Sequence, residues 1–184
     1  MSPPEYIELD CRSNFSFLEG GSKAEELIVQ AYALGLVGIG FADRNTLAGV
    51  VRGHKARREL EKSDAEDFIK LRDEFGPVTL RYLVGSRLVF QDGLELIVYP
   101  RDRAAYGRLS RILTLGKSRI GADGSAPDGK GPDRISKGDC LLDFADAAAL
   151  GEGLIALLPA PVRLDQAFER RLAHWRKAWP DDLY

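Results

Sequence analysis

The residues best placed to do chemistry lie in two short segments, LDCRSNFSFLEG at 9–20 and FADRN at 41–45. Each follows an apolar, strand-like run and each carries an aspartate: Asp10 after Tyr6–Leu9, Asp43 after Leu36–Ala42. In α/β barrels, functional groups gather where strands end, because the loops there surround a shared pocket. Asp10 and Asp43 are therefore candidates for one pocket, with Arg87 of VGSRLVF as a third member. The competing reading is that each aspartate only caps the loop after its strand. Donor types narrow the chemistry. A zinc or multi-metal site needs three or more His, Cys or carboxylate ligands converging. Where a hydrolytic metal site would use His-x-His, this chain has Asp10-Cys11-Arg12, and it contains no Cys-x-x-Cys or His-x-x-Glu pairing. There is no Gly-x-Ser-x-Gly nucleophile elbow. GLVGIG at 35–40 puts Gly38 and Gly40 inside a strand rather than at a helix N-terminus, which excludes it as a dinucleotide loop.

The elements that must position these residues follow from periodicity. Ser22-Lys23-Ala24-Glu25 has the form of a capping box, and Ala24, Leu27, Ile28 and Ala31 then trace one buried helix face. Gly35 is the expected stop. After the strand at 36–42, a second helix is expected to bury the stripe Leu47, Val50, Val51 and His54. Residues 61–77 are charge-rich and read as an extra helix or an insertion. Tyr82–Phe90 and Leu94–Tyr99 read as two strands joined by a turn at Gln91-Asp92-Gly93. Asp102 can cap a helix burying Ala105, Leu109, Ile112 and Leu113. Residues 116–138 turn to Gly, Pro, Asp, Lys and Ser without periodicity, the composition of a mobile loop. A short helix near Asp143–Leu150, a strand at Leu154–Leu158 and a last helix burying Leu164, Phe168, Leu172, Trp175 and Trp179 complete the chain. His174 sits beside Trp175 on that helix, and the tryptophans read as packing residues. Alternating strand and helix favours parallel strands covered by helices, in a barrel or a doubly wound sheet. The last residues, Asp181–Tyr184, fall where a further strand is expected to begin, as though the domain were cut.

Bulk properties bound the function. With 184 residues, 45% of them hydrophobic, the chain can bury a core as one domain or part of one. Its apolar runs are too short for a bilayer span and its N-terminus lacks a basic-then-apolar leader, so no membrane partner is expected. Two distant cysteines, Cys11 and Cys140, suit a reducing cytoplasm. A net charge of −2 is not the footprint of a dedicated nucleic-acid binder. One run is basic: Arg101, Arg103, Arg108, Arg111, Lys117 and Arg119 stand against a single Asp102. It is either a solvated helix face or a surface for phosphate and DNA.

Five ordered blocks carry a resemblance. LDCRSNFSFLEGGSKAEELIVQA is similar to the first motif of a polymerase-and-histidinol-phosphatase (PHP) domain, and FADRNTLAGVVRGHKA to the second. VGSRLVF, IVYPRDRAAYGRLSRILTLGKSR and KGDCLLDFADAAALGEGLIALLP resemble the segments that follow in error-prone, damage-inducible C-family DNA polymerases, relatives of the polymerase III alpha subunit. The resemblance spans nearly the whole chain, residues 1–184, apart from the charged insertion near 61–80 and the loop at 119–136. It implies an α/β fold of the distorted (β/α)7 barrel type, incomplete in this chain. It also implies a family metal site at which Asp10 and Arg12 replace the two histidines of His-x-His, Asp43 keeps the ligand aspartate, Arg44 replaces the next histidine and Arg87 replaces a glutamate. Fixed guanidinium cations in place of ligands should repel a divalent ion and pair with Asp10 and Asp43 instead. The expectation is a scaffold module with no metal or cofactor of its own and no catalytic residue. The parent polymerase would extend primers across damaged templates with Mg2+, alongside the remainder of its chain, DNA and accessory translesion proteins. An active PHP phosphoesterase and an independent DNA- or partner-binding protein are the alternatives. Unpaired arginines in the former metal pocket would favour phosphate binding.

Overall fold

In the computed structural model, which describes residues 5–118, 139–161 and 164–184, the chain opens with β1 (Ile7–Cys11), α1 (Ala24–Ala33), β2 (Gly38–Phe41), α2 (Val50–Lys62), α3 (Glu66–Phe75) and β3 (Arg81–Val84). Contacts divide it into two units, Met1–Ser86 and Arg87–Tyr184.

In the first unit β1, β2 and β3 form a parallel sheet in that order. All four residues of β2 are buried, as the central strand of a covered parallel sheet should be. Helix α1 buries Ala24, Ile28, Ala31 and Tyr32, and Leu27 packs at the edge of the same core with Phe41, Ala56, Leu60 and Leu80. Its N-terminal box lies one residue later than Ser22 and Glu25 suggest: the Lys23 amide donates to Glu26 Oε2 at 2.8 Å. Gly35 ends the helix at φ +71°, a conformation glycine adopts without the Cβ penalty. Helix α2 differs from expectation. It starts at Val50 and buries Gly53, Ala56 and Leu60, leaving Val51 and His54 exposed. The cause is close approach. A Cβ on Gly53 would lie 2.7 Å from Tyr82 Oη and 2.8 Å from the Phe41 ring, so small residues face the sheet. Helix α3 occupies the charge-rich stretch and has no fully buried residue, though Phe68 and Leu71 pack at the core's edge.

The run read as one strand over 82–90 is two. β3 ends at Val84, and after Gly85 the chain enters β4 (Ser86–Val89), which belongs to a second sheet of order β4-β5-β6. That sheet contains β5 (Glu95–Pro100) and β6 (Leu154–Leu157) and is flanked in sequence by α4 (Arg103–Ser118), α5 (Phe144–Leu150) and α6 (Gln166–Ala178). β5 and β6 run antiparallel, whereas alternating strand and helix favours parallel pairing. The turn before β5 has Gly93 at φ +80°. Asp102 Oδ1 accepts the Ala105 amide at 2.7 Å and caps α4, whose buried face is Ala105, Leu109, Ile112, Leu113 and Gly116. Because α4 runs to Ser118, positions 116–118 of the expected loop are helical; positions 119–138 lie outside the described residues. Trp175 and Trp179 stack on each other, Phe90 and Phe144 pack against Trp175, and the Trp179 indole N–H donates to the Gly151 carbonyl at 3.2 Å. His174 lies against Phe144, 4.2 Å between ring centres. Leu164 precedes α6 and is exposed rather than buried. Near the last residues, Leu183 bridges in parallel to Ala156, and the Tyr184 amide donates to the Ala156 carbonyl at 2.9 Å. The described strands thus give a mixed α/β fold of two three-stranded sheets, without a closed barrel among them. No described helix is long and apolar enough to cross a membrane.

Candidate functional site

Parallel pairing of β1 with β2 brings their C-terminal ends together. Cys11 lies opposite Phe41, and the Ala42 amide donates to the Cys11 carbonyl at 2.8 Å. The segment after β1 curls over this junction. Asn14 N–H reaches the Ser22 carbonyl at 2.8 Å, and the Glu19 and Gly20 amides both return to the Ser16 carbonyl, at 3.0 and 2.9 Å. Gly20 is indispensable to the curl, since a Cβ there would sit 2.1 Å from the Ser13 carbonyl oxygen.

Asp43 is the centre of the arrangement. It is 2% exposed. Its Oδ1 accepts from the Ser13 amide at 2.7 Å and the Ser16 hydroxyl at 2.8 Å, and its Oδ2 accepts from the Ser13 hydroxyl at 2.7 Å. Ser16 Oγ in turn accepts the Arg44 amide at 3.0 Å, and Ser86 Oγ donates to the Asp43 carbonyl at 2.9 Å. The expectation that Asp43 pairs with a guanidinium is therefore replaced by neutral donors. A buried carboxylate with several close donors has its charge met without a counter-ion.

The arginines close on a residue that sequence reasoning missed. Arg12 Nη1 binds Glu19 Oε2 at 3.0 Å and Arg44 Nη1 binds Glu19 Oε1 at 2.7 Å, so one carboxylate clamps both cations. Asp10 pairs with Arg12 at 3.5 Å, as its residue type suggested. The hydrogen bond from Arg44 is the leading cause that holds the Glu19 carboxyl below its ordinary value; partial burial opposes it and the Arg12 charge reinforces it. Between β1 and this frame, burial first, then the nearby Glu8, Asp43 and Asp10 carboxylates, push the Cys11 thiol up to about 12. Arg52 lies over the Phe15 ring at 5.7 Å, fixing one side of the curl. Ser13, Ser16 and Glu19 were within the segment singled out; the one available signal was hydroxyls at i and i+3 ahead of a buried aspartate.

The remaining candidates belong to the second unit. Arg87 is buried there and ion-paired to Glu95. In the basic run, Arg101 pairs with Asp182 and Arg108 Nε donates to the Glu152 carbonyl at 2.7 Å. Arg103, Arg111 and Lys117 are exposed along α4, and Arg119 lies outside the described residues.

A PHP-type metal site can be tested against these donors. At its implied positions stand one solvent-facing carboxylate already paired with Arg12, one buried carboxylate whose two oxygens take three hydrogen bonds, and three guanidinium groups. Among the described residues no three His, Cys, Asp or Glu side chains group so as to hold a metal ion. The residues present do not fit the multi-metal group.

Sequence comparison places the chain. It is 43% identical over 168 residues to an error-prone DNA polymerase of Bradyrhizobium diazoefficiens, a match covering 91% of this chain and 12% of the relative. The error-prone DNA polymerase of Caulobacter vibrioides is 40% identical over 173 residues, and error-prone DNA polymerase 2 of Agrobacterium fabrum 40% over 179, covering 94% and 97% of this chain. The chain is a homologue of one segment of proteins named error-prone DNA polymerase. It spans only 13% of the length of each of the latter two relatives. No protein-family model matches it. Among solved structures, this chain is similar in fold to a Bifidobacterium adolescentis protein described as a metal-dependent phosphoesterase, with TM-score 0.54 and 15% identity over 93% of this chain and 75% of the other. It is also similar to an amidohydrolase from Chromobacterium violaceum, with TM-score 0.52 and 18% identity over 94% of this chain and 74% of the other. These likenesses concern the fold.

Proposed function

We propose that this chain is the PHP-type module of an error-prone DNA polymerase, with the metal pocket of that superfamily rebuilt as a hydrogen-bonded and ion-paired frame. The module is metal-free and hydrolytically inactive, and it serves the polymerase as a structural scaffold in the cytoplasm. The observation that carries this reading is the joint engagement of Asp43 by Ser13 and Ser16 and of Arg12 and Arg44 by Glu19. A carboxylate that already accepts three close hydrogen bonds has little acceptor capacity left for a cation. Arg12 and Arg44 offer no lone pair to a cation, and Glu19, which could, is already bound to both. The parent's reaction, primer extension over damaged templates with Mg2+ and deoxynucleotides, would be carried out by the remainder of the polymerase, in contact with DNA and with accessory translesion proteins.

The test is metal content by mass spectrometry after incubation of the purified chain with Mn2+, Zn2+ and Fe2+ and desalting, coupled to hydrolysis of a model phosphodiester. The expected result is sub-stoichiometric metal with no turnover above buffer. Stoichiometric metal retention with turnover that Asp43→Asn abolishes would overturn the reading and favour an active phosphoesterase.

A further inference from the structure

We infer that the segment after β1 is a docking knob, in which Phe17 and Leu18 insert into an apolar pocket on the part of the error-prone polymerase that this chain does not span. The inference rests on the module reading above and names the surface it would use. Phe17 is 84% exposed and Leu18 90%, the highest values among the described large hydrophobic residues. They are adjacent, and they sit on a loop that is held rather than loose. Ser13 and Ser16 are tied to Asp43, Glu19 is clamped by Arg12 and Arg44, and the Glu19 and Gly20 amides return to Ser16.

Leu18 holds φ +63°, a left-handed conformation that glycine or asparagine would adopt with less strain. Strain of this kind persists where surrounding structure over-determines it, and it concentrates at sites that bind. A pre-organised pair of apolar side chains pays little ordering entropy when a pocket receives it. The charge beside the knob points to a protein rather than a phosphate partner. Arg12 and Arg44 are offset by Asp10 and Glu19 within the same cluster, which leaves no net positive field to attract nucleic acid. The occupant follows from length: the matched segments are 12% and 13% of the relatives, so a module of this kind has a much larger polymerase body to sit against.

The experiment uses a full-length polymerase from Bradyrhizobium diazoefficiens in which this chain replaces the matched segment, with p-benzoylphenylalanine at position 17. The control carries the same photo-crosslinker at position 51, where Val51 is 74% exposed on α2. The expected result is an intramolecular crosslink from position 17 to an apolar stretch of the polymerase body, about tenfold more abundant than from position 51. In the same protein, F17S/L18N should raise the rate of proteolysis between module and body by about tenfold. It should not lower the melting temperature of the isolated 184-residue chain, since neither side chain is buried and asparagine relieves the backbone strain at position 18. Crosslinking at 17 no greater than at 51, crosslinking only between two copies, or crosslinking only to added lipid vesicles overturns the knob. If any of these occurs while the chimaera still extends primers, the module reading survives and the knob alone falls. A chimaera that crosslinks as expected but cannot extend primers upholds the docking and counts against the module reading; one that does neither overturns both.

Discussion

Replacing Asp43 by alanine and by asparagine separates a frame carboxylate from a metal ligand. Alanine removes the acceptor for the Ser13 amide, the Ser13 hydroxyl and the Ser16 hydroxyl, on residues that are themselves 0% and 1% exposed. Each abandoned buried donor costs ~1–3 kcal/mol. The carboxylate's own desolvation penalty, several kcal/mol for a buried ion, is relieved and offsets part of that loss. The balance is a destabilisation of about 3 kcal/mol, within the range that marks a broken buried network. Asparagine is different. Its Oδ1 can keep the Ser13 amide and the Ser16 hydroxyl, and its amide can donate to Ser13 Oγ, but the Ser13 hydroxyl hydrogen loses its acceptor along with the charge assistance, a cost of about 1–2 kcal/mol. Urea unfolding followed by far-UV circular dichroism gives both numbers, and exchange protection of the Ser13 amide reports the frame locally. Asparagine costing as much as alanine, or alanine costing less than about 1 kcal/mol, would refute the claim that three donors converge on this carboxylate.

Three further outcomes follow from the same frame. Glu19→Gln should cost about 1 kcal/mol or less at neutral pH, since its partners are partly exposed. Because the folded Glu19 carboxyl is lowered, its contribution is present above the unfolded value of ~4.3 and fades as pH falls through the folded value. Thermal melts at pH 7 and pH 3 should therefore show a gap between wild type and E19Q that narrows on acidification; a constant or widening gap would contradict the ion-pair origin. Cys11, with its thiol pushed up to about 12, should react with a disulfide reagent at pH 8 on the order of 100-fold more slowly in the native chain than in urea. Comparable rates in the two states would show that the β1 end is open. Gly20→Ala should destabilise by ~3 kcal/mol or more, because its Cβ meets the Ser13 carbonyl at 2.1 Å. A melting temperature within ~1 °C of wild type would show that the curl relaxes freely.

Much of the fold was legible locally. Strand β1, helix α1 with its Gly35 stop, the Asp102 cap and the Ala105-Leu109-Ile112-Leu113 face of α4 each depend on neighbours within a few turns, and the residue pattern determines them. The packing of α2 was not legible. Hydrophobic periodicity assigns large side chains to the core, whereas the approach of α2 to Phe41 and Tyr82 leaves no room for a side chain at Gly53. Nor does the run 82–90 reveal that it changes sheets at Gly85, since a switch of partner leaves no periodic mark.

The site divides the same way. The sequence places an aspartate after each of two strand-like runs, and the resemblance implies that arginines occupy places a multi-metal site would give to ligands. Which carboxylate takes which donor is a matter of reach. The guanidinium groups of Arg12 and Arg44 sit at the ends of long, partly exposed side chains and meet on Glu19. The short Ser13 and Ser16 side chains stay beneath the curl and fill the space around Asp43, where a buried charge must be met at close range. Only the tertiary structure could decide that division, because it depends on the curl that carries Glu19 back to both arginines.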